Sequence, residues 1–466
     1  MDVLLNVVNY ILGFGSAVFV PLIMLIIGLC FRMKFSDAFV AALTLGVAFT
    51  GMSMLIDFMT GAVTPAAQGL ADKTGIVLTS VDVGWPSASA ITWAWPYIVL
   101  MFVLVVVLNI IMLALKLTDT LNVDLWNVWG KGFTAVMVYY VCREVGGYSE
   151  MMCVVLAFVA AAIHIVLELK VADMWQPSVQ KITGIPGVTT THCLTLIAVP
   201  MYPFERLLDK IPALRDNALD AKWLRGKIGI FAENAVMGFI IGVVLGAVAY
   251  ADIQQALTLG VQAGTAMQLF PMVSKLFMQA LSPISDAVSN VMKKRFKGRE
   301  LHIGLDWPIL AGSNELWVCC ILLVPVELIF AFILAPAGNT VLPFAGIINN
   351  GLACALMLLT GANLAKMMIL GIICVPIYLF SATYFAPYMT SLAREFSPDA
   401  LASAGNSMIS WSSIELPEFR WAVATAFSGE NLLGWVYLVV FIALFVLLLR
   451  HFKKKNEEIK KELGIE

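Results

Sequence analysis

Tyr10 to Phe31, Trp95 to Leu115 and Asn431 to Leu449 carry no Asp, Glu, Lys or Arg over 22, 21 and 19 residues. Each run can cross ~30 Å of hydrocarbon as an α-helix. The first is too long for a removable signal peptide and lacks its basic start and small-residue cleavage site, so it is expected to persist as a helix. Weaker runs complete the series. The first part of the chain reads as spans at 8–31, 38–60, 95–117, 128–145 and 150–169, followed by a polar-broken segment at 183–204. The second reads as 228–250, 254–279, 308–335, 341–362 and 367–390, with a broken segment at 405–428 and a last span at 431–449. Amphipathic stretches, Thr64 to Asp72 and Ser282 to Arg299, follow the second span of each part and are expected as interfacial surface helices or connecting arms.

Polar interruptions recur in order. Val81-Asp82-Val83-Gly84-Trp85-Pro86-Ser87 is echoed by Gly304-Leu305-Asp306-Trp307-Pro308, each directly before a hydrophobic run. Ala42 to Val47 repeats letter for letter as Ala256 to Val261, and Asn122-Val-Asp-Leu-Trp126 has a counterpart in Asn339-Thr-Val-Leu-Pro343. These landmarks divide the chain into a half at 1–215, a half at 223–428, and a remainder at 429–466 holding one helix and a charged tail. Five spans per half is odd, so the second half lies upside down relative to the first. The expected fold is an all-α polytopic membrane protein of about eleven transmembrane helices, two inverted five-helix repeats plus a C-terminal helix. Broken backbone at membrane depth survives only inside protein or beside a water-filled cavity, which makes the paired breaks candidate walls of a site.

Composition agrees. Hydrophobic residues make up 60% of the chain and charged residues 13%, well below the quarter usual in soluble domains. A tail from Arg450 to Lys461 in the cytoplasm puts the amino terminus in the periplasm and makes 32–34, 206–227 and 293–299 cytoplasmic. Those stretches and the tail hold 19 of the 29 Lys and Arg, as cytoplasmic loops should. The eight cysteines lie in or beside apolar segments without ligand spacing and read as small hydrophobes. Nucleotide-binding loops, zinc spacing and a nucleophile elbow are missing, so no metal, cofactor or catalytic residue is expected, and nothing suggests nucleic acid.

Ionisable side chains at membrane depth are where function is sought, since each costs at least ~2.5 kcal/mol on insertion scales. Asp82 and Asp306 head the two Trp-Pro breaks, where a carboxylate can accept hydrogen bonds from ligand hydroxyls or cap the following helix. His164 lies inside the span 150–169 as a packed core group or a ligand contact. His192 follows Thr191 in the first broken segment, and Glu415 occupies the corresponding segment of the second half. Asn122 and Asp124 begin the fourth span as a capping turn or a site wall. Glu315 and Glu327, twelve residues and about 18 Å apart on one helix, cannot share one small ligand, and Glu315 is nearer the break.

Asp82-Val-Gly-Trp-Pro-Ser87, Asn122-Val-Asp-Leu-Trp-Asn-Val-Trp129, Ile163-His164 followed by Lys170 and Asp173, Gly304-Leu-Asp306 and Gly338-Asn-Thr-Val-Leu-Pro-Phe344 together resemble the galactitol-type IIC permeases of the bacterial phosphotransferase system. That family is similar to the ascorbate IIC permeases. The resemblance implies a homodimer in the lipid of the inner membrane, with a dimerising scaffold from the first two spans of each half and a mobile core with broken helices. The core carries a polyol or sugar across as an elevator, and soluble IIB (through a phosphocysteine) and IIA partners supply the phosphoryl group. It also implies a site lined by Trp85, Ser87 and Ser89, His164, the Thr191–His192 segment and Asp306. Two departures, Pro186-Gly187-Val188 in place of a Pro-His-Gly and Glu415 in place of glycine or serine, bear on whether the substrate is galactitol or a related alditol. The alternative is a proton-coupled secondary transporter using Asp306, His164 or Glu315 as proton carrier.

Overall fold

The computed structural model describes residues 16–74, 78–82, 84–124, 127–215, 230, 233–295, 301–343, 350–396 and 408–465. The start of the first span, Val83, Leu125, Trp126, Phe344, the boundary between the halves, much of the basic stretches 206–227 and 293–299, and the beginning of the second broken segment lie outside them.

Two long helices dominate one side. Helix α1 (Ser16–Cys30) ends where Arg32 takes a left-handed φ of 65° and the Met33 N–H returns to the Gly28 carbonyl at 2.9 Å. Helix α2 (Phe35–Thr74) then runs 40 residues, with Pro65 inside it. A second pair of this kind lies later in the chain, α8 (Asn234–Tyr250) and α9 (Ile253–Arg295), where the Asp252 carboxylate accepts the Gln255 N–H at 2.9 Å as an N-cap. At 1.5 Å per residue α2 and α9 are about 60 and 65 Å long, roughly twice the hydrocarbon thickness. The expectation of separate surface helices is therefore corrected: over the described residues each amphipathic stretch continues the helix of its span, and Pro65, which lacks an N–H, is accommodated inside α2.

These four helices pack chiefly on one another. Small residues let their backbones approach. A Cβ added at Gly242 would stand 2.6 Å from the Leu259 carbonyl oxygen, and one at Gly264 would stand 2.6 Å from that of Ala235. Gly246 meets Ala256 Cα and Gly260 meets Val243 Cγ2 equally closely. The paired spacing Gly242-x3-Gly246 and Gly260-x3-Gly264 is the small-xxx-small pattern by which membrane helices associate.

The other body gathers α3 (Gly84–Ala94), α4 (Ile98–Ala114), α5 (Val128–Glu144), α6 (Glu150–Thr183) and α7 (Ala198–Leu208) with α10 (Asn314–Ile333), α11 (Asn350–Thr360), α12 (Leu364–Phe396), α13 (Pro417–Ser428) and α14 (Leu432–Leu463). Among the described residues α6, α12 and α14 are long and apolar enough to cross a membrane, and shorter apolar runs lie in α2, α4, α8 and α11. Helix α6 starts at the Ser149 cap and stops at Gly184, φ 72°. Helix α5 is buried on every side from Val128 to Cys142 and forms the axis of this body. The charged tail extends α14 and docks on α6, with the Asn456 amide donating to the Met174 carbonyl at 2.7 Å and Phe452 edge-on to Trp175 at 4.6 Å.

The all-α expectation needs one correction. Every polar break contains a short strand: β1 (Ser80–Asp82), β2 (Thr120–Asn122), β3 (Val188–Thr190), β4 (His302–Leu305), β5 (Val341–Leu342) and β6 (Met408–Ser410). They form two parallel sheets ordered β5-β1-β6 and β2-β4-β3. In register Ser80 faces both Val341 and Met408, Asp82 faces Ser410, Asn122 faces Gly304, and Thr190 faces Leu305. The central strand of each sheet thus comes from the other half of the chain. Unwound backbone must find hydrogen-bond partners where water is scarce, and three-stranded pairing supplies them.

Gly260→Val is expected to disrupt the α8–α9 contact by at least the ~1–3 kcal/mol of an overpacked core, whereas Gly61→Ala, whose added Cβ meets nothing within 4 Å, is expected to be tolerated. Thermal unfolding of the detergent-purified variants checks this; equal melting temperatures would remove the close-approach argument.

Candidate functional site

Where each central strand ends, it aims an aspartate at the neighbouring half. Asp82, at the end of β1, is fully engaged. Its Oδ1 accepts the Gly84 N–H at 3.0 Å and the Ser412 N–H at 3.2 Å, and its Oδ2 accepts the Ser412 hydroxyl at 2.6 Å. Asp306, just past β4, faces His192 of the β3 segment much as Asp82 faces Ser412 of the β6 segment. Its Oδ1 accepts the Trp307 N–H at 2.7 Å and faces His192 Nε2 at 3.7 Å. One carboxylate is a clasp and the other borders a gap.

His192 caps the 3₁₀ turn after β3. Its Nδ1 accepts the Leu194 N–H at 3.3 Å, so the neutral ring carries its proton on Nε2. That nitrogen faces Glu415 Oε1 at 3.6 Å as well as Asp306. Both separations exceed a direct hydrogen bond. Glu415 Oε2 accepts the Cys193 thiol at 3.4 Å. The chain beyond it is held in an unusual shape: Leu416 has a left-handed φ of 52° immediately before Pro417, where extended backbone is preferred. Such strain costs of order 1–3 kcal/mol and clusters at functional sites. Side chains of Asp306 and Glu415 remain 17% and 13% exposed, unlike the closed network behind them.

That network runs through α5, α6 and α13. Arg420 donates from Nε to Thr134 Oγ1 at 3.0 Å, from Nη2 to the Gly130 carbonyl at 2.9 Å, and from Nη1 to the Glu415 carbonyl. Thr134 Oγ1 lies 2.9 Å from His164 Nδ1, His164 Nε2 lies 3.0 Å from Glu168 Oε1, and Glu168 Oε2 lies 2.9 Å from Lys131 Nζ. Donor and acceptor roles agree along the whole chain if Thr134 donates to Nδ1 and neutral His164 donates from Nε2. Lys131, Thr134, His164, Glu168 and Arg420 are all buried. Through Thr134 and Arg420, His164 is linked to the Glu415 carbonyl.

Three tryptophan rings pack in a row. Trp85 and Trp129 rings are 6.3 Å apart, Trp129 and Trp411 are 5.8 Å apart, and the Arg420 guanidinium lies over Phe133 at 4.8 Å. Asn122 Oδ1 accepts the Asp124 N–H at 2.9 Å and the Thr191 hydroxyl at 3.1 Å, tying the β2 turn to the His192 segment. Asp124 accepts the Asn127 side-chain amide. Ser89 is buried in α3, and the Ser87 side chain lies outside the described residues. Glu315 accepts the Ser313 hydroxyl at 2.7 Å at the head of α10.

Sequence reasoning picked His192, Asp306 and Glu415, which meet. It missed Lys131, Glu168, Arg420, Cys193 and Trp411. Only His164 and Glu168, at i and i+4, carried a local signal. His192, Cys193 and Glu415 can each present one ligand atom to a common point, as can His164, Glu168 and Cys193.

Comparison with known proteins is consistent over nearly the whole chain. Residues 10–400 match the family described as EIIC-GAT, PTS system sugar-specific permease component. The chain is 30% identical over 452 residues to the "Putative permease IIC component" of Escherichia coli (strain K12), covering 95% of this chain and 98% of that protein. It is 28% identical over 435 residues to the PTS system galactitol-specific EIIC components of Escherichia coli strains K12 and O157:H7, covering 93% of each chain.

Lys131→Met is expected to lower stability by about 3–5 kcal/mol by leaving Glu168 buried and uncompensated, and Lys131→Met with Glu168→Leu should recover most of the loss. Melting of the single and double variants reads this directly; a single variant as stable as the parent would dismiss the network as a structural unit.

Proposed function

The chain belongs to the EIIC-GAT family of phosphotransferase-system permeases, inner-membrane sugar carriers served by IIB and IIA proteins, and from that premise we propose that it moves galactitol or a related alditol, phosphorylated at the cytoplasmic face by its IIB partner. The observation that carries this reading is the gap between His192 Nε2, Asp306 Oδ1 and Glu415 Oε1. With separations of 3.7 and 3.6 Å, all three atoms reach one small polar group, or two adjacent ones, at hydrogen-bonding distance. Neighbouring hydroxyls of an alditol can donate to the two carboxylates and accept from the imidazole, and charge-assisted bonds of this kind are the strong ones. Trp85, Trp129 and Trp411 offer apolar faces for the carbon chain. The Trp129 Nε1–H, buried and without a hydrogen-bond partner among the described residues, is a further donor. Glu415, where the resemblance expects glycine or serine, adds a hydroxyl acceptor and favours a polyhydroxylated ligand other than galactitol itself.

The arrangement also favours an elevator. Helices α1, α2, α8 and α9 form one body, the site lies in the other, and α9 touches the Trp307–Leu310 turn beside Asp306. In this reading α1, α2, α8 and α9 make the homodimer scaffold. Residues 1–215 and 223–428 are inverted repeats, a view supported by the exchanged central strands, which obey one rule in both sheets. The amino terminus faces the periplasm and the tail the cytoplasm.

Membrane vesicles given radiolabelled alditols, phosphoenolpyruvate and the soluble phosphotransferase proteins should accumulate the phosphorylated alditol only with the complete relay. Unmodified solute that collapses with the proton gradient would instead identify a symporter. Asp306→Asn and His192→Ala are expected to reduce uptake at least ~10–100-fold, the 1.5–3 kcal/mol of a hydrogen bond to a charged group, with the protein still folded. Asp82→Asn should act on stability, since Asp82 ties two halves together. Unimpaired uptake by both Asp306→Asn and His192→Ala would remove the site assignment.

A further inference from the structure

We propose that His192, Cys193, Asp306 and Glu415 form a binding site for a soft divalent cation of the zinc class, bridging the two halves of the chain. The spacing between the side-chain atoms carries it. Cys193 Sγ is 3.4 Å from Glu415 Oε2, and His192 Nε2 is 3.6 Å from Glu415 Oε1 and 3.7 Å from Asp306 Oδ1. Tetrahedral zinc with bonds of ~2.0–2.3 Å places its ligand atoms ~3.3–3.8 Å apart, close to these three spacings; one ligand atom each from His192, Cys193 and Glu415 lies within 4.8 Å of the others, and Asp306 faces the same imidazole. His192 and Cys193 are almost wholly buried and the two carboxylates nearly so.

A thiolate with imidazole and carboxylates selects zinc or cadmium over magnesium or calcium. The alternative set of His164, Glu168 and Cys193 is disfavoured because both Glu168 oxygens already face a partner, Lys131 or His164.

Binding at Nε2 shifts the imidazole proton to Nδ1. That gives up the 3.3 Å bond from the Leu194 N–H, a loss of the order of one hydrogen bond. The Cys193 thiol proton is released to solvent as the sulfur–metal bond forms. The ion would occupy the gap assigned above to alditol hydroxyls and pin the β3 break of one half to the β4 and β6 breaks of the other, so it should inhibit uptake by competition. The competition rests on the alditol reading; the metal site does not.

The test is a cadmium titration of the full chain in detergent, followed by the ultraviolet thiolate–cadmium charge-transfer band and by calorimetry. One saturable cadmium per protomer is expected, with the band lost in Cys193→Ser, retained in Cys319→Ser, and the affinity reduced at least ~10-fold in Glu415→Gln and Asp306→Asn. A band unchanged in Cys193→Ser, or the absence of saturable binding to the unmodified chain, overturns the site. Should Cys193→Ser misfold, an undiminished affinity in Glu415→Gln overturns it equally. Cadmium bound at this site and indifferent to alditol leaves the metal site standing and removes the alditol pocket, while alditol uptake without cadmium binding does the reverse.

Discussion

Backbone hydrogen bonding at membrane depth is the constraint on which the rest depends. A peptide group left unpaired in hydrocarbon costs several kcal/mol, so a helix can be broken there only if something nearby completes its ladder. Here the breaks complete one another. Strand β4 fills the space between β2 and β3, and β1 that between β5 and β6. Close fit enforces the exchange: a Cβ on Gly304 would lie 2.3 Å from Thr191 Cγ2 and 2.9 Å from Thr120 Cγ2. The same pairing that satisfies the backbone brings Asp306 to His192 and Asp82 to Ser412.

The two junctions differ. At Asp82 the hydrogen bonds from Gly84 and Ser412 are of ordinary length, and the clasp holds β1 to the β6 segment. At Asp306 the bond from the Trp307 N–H is an ordinary 2.7 Å, but the contact across to His192 is 3.7 Å, His192 lies 3.6 Å from Glu415, and both carboxylates keep some exposure. A near-symmetric scaffold with one junction closed and the other open directs a ligand to one place. The strained Leu416 and the Arg420 bond to the Glu415 carbonyl both hold the open junction's second carboxylate in position. Behind them the Lys131–Glu168–His164–Thr134–Arg420 network gives the site a rigid wall, since each member has a fixed donor or acceptor role.

Much of this was legible in the primary structure. Uncharged runs marked the apolar helices, and the duplicated Trp-Pro breaks marked the segments that carry Asp82 and Asp306. His192 and Glu415 stood out as ionisable groups in the two broken segments. Other parts carried no local signal. Lys131 and Arg420 are among them, because their partners come from other helices. The short strands were hidden too, since two to four residues are too few for a period-2 pattern to emerge. Thr64 to Asp72 and Ser282 to Arg299 read as surface helices because amphipathicity reports the faces of a helix, not whether it joins the one before.

The sequence by itself determined the division of this protein into apolar helices and polar breaks, because hydropathy and helix breaking depend on residues adjacent in the chain. It also determined which residues would be costly to bury. Only the tertiary structure decided which of them meet. His192, Asp306 and Glu415 are separated by more than a hundred positions each, and they come within reach of one another only when a strand from the second half completes a sheet begun by the first. Pairing between distant breaks is a property of shape and of backbone groups, which every residue carries alike, so side-chain identities along the chain do not announce it.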